Sequence, residues 1–69
     1  MSSIEFVRTE IERLRLQISR QQQDIVTLQR LGLSTGLAEE LLARMRASIH
    51  ALCAKRDWMQ REEPVAAIG

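Results

Sequence analysis

The sequence predicts an all-α protein: an antiparallel two-helix hairpin, coiled-coil-like in its packing, that dimerises into a four-helix bundle. Three observations predict it. An apolar heptad series runs through the first half of the chain, a matching series runs through the second half, and a short Gly- and Ser/Thr-containing stretch separates them. So short a connection between helices forces them to lie side by side and antiparallel.

The first series is Ile4, Val7, Ile11, Leu14, Ile18, Gln21, Ile25 and Leu28, with isoleucine at every a position and a single polar residue, Gln21, at a d position. Its flanking e and g positions are Arg8, Glu10, Arg15, Gln17, Gln22, Asp24 and Gln29, so the apolar seam is narrow and suits one helical neighbour. Ser2 or Ser3 can cap this helix, with Glu5 in the first turn where the helix dipole favours negative charge. No proline or glycine interrupts the chain before Gly32. A helix over about residues 3–31 is therefore expected, roughly 43 Å long at 1.5 Å per residue.

Residues 32–35 read as the turn. Gly32 is suited to the left-handed conformation that ends a helix, and Ser34 or Thr35 can cap the next one ahead of Glu39 and Glu40. Helix 2 is expected over about residues 36–63 and stopped by Pro64, which leaves 64–69 as a flexible C-terminal tail on a 1–63 hairpin. Its seam is Ala38, Leu42, Met45, Ile49, Leu52, Arg56 and Met59. Folded back flush on helix 1, these residues meet Leu28, Ile25, Gln21, Ile18, Leu14, Ile11 and Val7 in turn.

Two polar residues stand in the seams. Gln21 and Arg56 cost stability there but fix register, because misaligned pairings leave them unsatisfied. Asp57 and Glu62 lie near Arg56 in sequence, and Glu10 and Glu12 flank the residue opposite it, so a carboxylate is available.

At 69 residues the chain has room for one domain whose core seldom offsets the entropy of ordering it. A staple or a second copy is required. The single cysteine, Cys53, excludes an internal disulfide, and one Cys with one His falls short of a structural zinc site. Self-association remains. Helix 2 is the more apolar helix, and Leu41, Met45, Ser48 and Leu52, on one line at helical spacing, form the expected dimer interface. Phe6, Leu16 and Val26 of helix 1 share no common face and read as scattered surface residues.

Ten basic and nine acidic residues give a net charge near +1, so charge alone demands neither nucleic acid nor membrane. Nine of the ten basic residues are arginine, and Arg13, Arg20, Arg44 and Arg46 form a candidate phosphate-binding face. The chain has only Phe6 and Trp58 as aromatics, which leaves that face without base-stacking platforms. His50 and Cys53 are three apart and are the closest approach to a catalytic or metal pair, with no acid placed to orient the histidine. No cofactor and no enzymatic activity are expected. The first residues lack a basic start and an apolar run, and no stretch approaches the roughly 20 apolar residues of a membrane span, so a soluble, cytoplasmic protein is expected.

Arg20-Gln21, Ile25, Leu28, Gly32, Thr35, Ala38, Leu41-Leu42 and Arg56-Asp57 resemble a pattern in small uncharacterised helical-hairpin proteins of rhizobia and related alphaproteobacteria. The resemblance spans both helices and the turn; it implies the hairpin and carries no activity. In architecture alone the chain is also similar to Rop, a plasmid copy-number regulator whose hairpin dimer binds paired RNA loops. The expected function is a non-enzymatic protein–protein interaction or structural module; the alternative is a Rop-like RNA- or DNA-binding regulator.

Overall fold

The computed structural model describes the backbone of residues 3–68 and the side chains of residues 3–61. Two helices make up the fold: α1 over Ser3–Arg30 and α2 over Gly36–Ile68. They pack along their lengths as a hairpin, with no strand among the described residues.

Gly32 ends α1 as its sequence position predicts. Its φ is +72°, the left-handed region where a side chain is strained. Leu33 N–H donates to the Leu28 carbonyl at 2.9 Å, and Gly32 N–H donates to the Gln29 carbonyl at 3.1 Å. Those two bonds are the paired closure of a Schellman cap, which satisfies carbonyls that the helix end would otherwise leave without donors. Thr35 then stands at the N-cap position of α2, its carbonyl accepting the first helical bond from Glu39 N–H at 2.8 Å.

The expected seams are the covered ones. In α1, Ile4, Val7, Ile11 and Ile25 are buried and Leu14, Ile18, Gln21 and Leu28 are half-buried. In α2 all seven seam positions, Ala38, Leu42, Met45, Ile49, Leu52, Arg56 and Met59, are half-buried. Ile11 is covered most completely, at 1% exposure.

The alignment of the seams differs from the flush hairpin. Gln21 Nε2 donates to the Ala38 carbonyl at 3.0 Å. Gln21 therefore lies level with Ala38 and about 10 Å from Met45, the partner a flush fold would give it. α2 is slipped by one heptad toward the open end. Carried along both seams, this register sets Ile25 opposite Thr35, Ile18 opposite Leu42, Leu14 opposite Met45, Ile11 opposite Ile49, Val7 opposite Leu52 and Ile4 opposite Arg56. The half-buried state of Thr35 agrees with it. So does the length: the Cα atoms span 59 Å, whereas α2 alone accounts for about 50 Å, and the turn end of α1 overhangs by the remainder. Residues 33–35 run back along α1 to make the slip.

α2 also passes the expected stop. Its helical backbone continues through Pro64 to Ile68, so the segment expected as an irregular tail is helix up to Gly69, which lies outside the described residues. Proline removes the donor to one carbonyl, that of Gln60, and the two alanines that follow it are strong helix formers. Ser2 and the side chain of Glu62, the expected cap and one expected partner of Arg56, also lie outside the described residues.

Candidate interaction surface

With the seams spent on each other, any further binding must use the flanks. In an antiparallel pair the g positions of one helix flank the g positions of the other, so the c and g residues of both helices share one broad side of the hairpin. Counting from Ile4 as a in α1 and from Leu42 as a in α2, that side carries Phe6, Glu10, Arg13, Gln17, Arg20 and Asp24. From α2 it carries Leu37, Leu41, Arg44, Ser48, Ala51, Lys55 and Trp58.

Four large apolar side chains on this side are open to solvent: Leu37 at 84% exposure, Phe6 at 58%, Trp58 at 57% and Leu41 at 42%. Leu16 and Val26, also exposed, occupy the f and b positions, away from it. Phe6 thus shares a side with apolar residues that a reading of helix 1 alone cannot supply, because they stand on the other helix.

The expected dimer line divides. Leu41 and Ser48 are exposed on the broad side, but Met45 and Leu52 are half-buried in the seam against α1 and offer only their outer edges. The expected arginine face divides as well. Arg13, Arg20 and Arg44 lie on the broad side, whereas Arg46 occupies an e position on the opposite one. Arg13 donates to Glu10 at 2.6 Å, and Arg15 to Glu12 at 3.1 Å. Both pairs are exposed, worth about 0.3–0.5 kcal/mol each as neighbours on a helix, and each lowers the charge available to a phosphate. Among the described residues, Arg20 and Arg44 make no ion pair.

Arg56 finds the carboxylate expected for it in Asp57, whose Oδ1 accepts from Nε at 3.3 Å and from Nη2 at 3.2 Å. On the opposite broad side, Arg46, Ile49, His50, Cys53, Ala54 and Asp57 line an open groove. His50 and Cys53 have no third ligand: no group of three or more His, Cys, Asp or Glu residues among those described is placed to hold a metal. No helix among the described residues is long and apolar enough to cross a membrane. Neither a family model, nor a curated protein, nor a solved structure matches the chain.

Proposed function

We propose that the protein is a non-enzymatic interaction module, a hairpin that pairs with a second copy into a four-helix bundle and offers the remaining helical surface to a protein partner. One observation carries this reading: Phe6, Leu37, Leu41 and Trp58, from two helices, stand exposed on one broad side while the seams already cover each other. That side has the size for the task. Cα extents of 59 by 17 Å describe a face of the order of the roughly 800 Å² that each partner of a stable interface buries.

The competing reading is a Rop-like nucleic-acid regulator, and Arg20 and Arg44, unpaired on the same side, are what favour it. One experiment separates the two. Light-scattering chromatography is expected to give a dimer of about twice the 7.9 kDa chain mass at low and high salt, unmoved by added RNA or DNA. Leu41→Asp is expected to halve that mass while the circular-dichroism spectrum stays helical, since Leu41 lies outside the seam. A complex with nucleic acid that salt dissolves steeply would establish the alternative instead.

A further inference from the structure

Resting on the interaction-module reading but not on the dimer, we infer that the protein partner of this chain is an acidic amphipathic helix, seated along the c and g positions of α2 in place of the second copy.

α2 carries two stripes at heptad spacing: the seam against α1, and a second one beside it over residues 37–58. Every residue of the second stripe is exposed, and none is Asp or Glu. Its ends are apolar, with Leu37 and Leu41 toward the turn and Trp58 toward the open end. Between those ends stand Arg44 and Lys55, and neither makes an ion pair among the described residues. The small Ser48 and Ala51 separate the two cations. A neighbouring helix has room to lie close over that small middle while its ends touch the leucines and the indole. The stems of Arg44 and Lys55 then follow its flanks, and carboxylates placed there give both charged heads a partner.

Charge decides between such a helix and a second copy. Laid stripe on stripe, two copies supply each other's Arg44 and Lys55 with no carboxylate, wherever their twofold axis falls. An axis along the hairpin lays the stripe on the α1 side of the second copy instead. The register that sets Gln21 level with Ala38 then puts Arg44 nearly level with Arg13, whose own carboxylate partner, Glu10, is already engaged. Like charges facing one another cost affinity, and an acidic helix removes that cost. The proposed dimer is thus the form the chain takes alone, and the acidic helix displaces the second copy from it.

Synthetic helices test this. The probes are two fluorescent amphipathic peptides of about 21 residues, which span the stripe at 1.5 Å per residue. Both carry leucines in the first and last turns; between them, on the same face, one carries glutamates and the other lysines. By fluorescence anisotropy, the chain is expected to bind the glutamate peptide roughly tenfold more tightly than the lysine peptide. Arg44→Glu with Lys55→Glu is expected to abolish or invert that preference. Arg46→Glu with Arg61→Glu makes the same change in net charge on the opposite side and is expected to leave the preference in place. Were the second pair to act like the first, general attraction and not the stripe would be responsible, and the inference would fail. It fails equally if both peptides bind alike, or if an oligothymidylate displaces the glutamate peptide, which would give the stripe to a nucleic acid. A chain that binds neither peptide yet runs at twice its mass in light scattering would lose the acidic partner and keep the dimer. A monomer that binds the glutamate peptide would keep the partner and lose the dimer.

Discussion

A heptad seam can slide by seven residues and still match apolar side chain to apolar side chain, so packing alone does not hold Gln21 beside Ala38 rather than beside Met45. The polar residues make the difference. Beside Ala38, the Gln21 amide finds a backbone carbonyl at 3.0 Å, whereas the Met45 thioether is a weak acceptor. Arg56 votes the same way: the slip places it opposite Ile4 near the open end, where it stays half exposed and holds Asp57, and the flush fold would place it opposite Ile11, the most covered residue. A guanidinium there would give up hydration beside Ile11, and the carboxylates that flank that residue, Glu10 and Glu12, already pair with Arg13 and Arg15. Replacing both markers, Gln21→Leu with Arg56→Leu, is expected to leave the chain helical but divide it between the two registers. Doubled amide cross-peaks in a nitrogen–proton correlation spectrum would show this; a single set would mean that the turn alone fixes the slip.

At the scale of the element, the fully covered residues are the β-branched Ile4, Val7, Ile11 and Ile25 of α1, whereas every seam residue of α2 is half-buried. Ile11→Ala is accordingly expected to cost about 2–4 kcal/mol of stability in urea unfolding, the range for deleting a buried aliphatic chain. Ile18→Asp, which puts a carboxylate into the middle of the seam, is expected to abolish the helical circular-dichroism signal at 25 °C. Which residues line the seams was legible in the sequence, because period and burial are the same fact seen twice. The alignment of the seams was not, since a segment as short as 33–35 has room to run up, across or back and no periodic signal says which. The exposed apolar side was legible in part: Leu41 and Ser48 mark it from α2 alone, but Phe6 joins them only once an antiparallel pairing brings the c and g positions of both helices together. The extension of α2 through Pro64 was hidden for a different reason, in that a proline costs about 3 kcal/mol in a helix interior but removes a single bond when little helix follows it.

For the whole molecule, one seam between two helices is a small core, and among the described residues the buried apolar side chains are Ile4, Val7, Ile11 and Ile25. If the proposed second copy completes that core, the fold melts by mass action. Its Tm is expected to rise as protein concentration is raised a hundredfold, by an amount set by the dimer dissociation constant; a Tm independent of concentration would mean that the hairpin stands alone. The turn bears on the same question from another side. Straightened through residues 31–35, the chain would become one continuous rod of about 99 Å over residues 3–68, and two such rods could exchange halves, each covering its α1 seam with the α2 of the other. Everything in the seams permits that swap. What opposes it is the cap at Gly32: two backbone bonds and one positive φ keep the chain folded on itself, so that the pair proposed above would be built from closed hairpins rather than from interlocked helices.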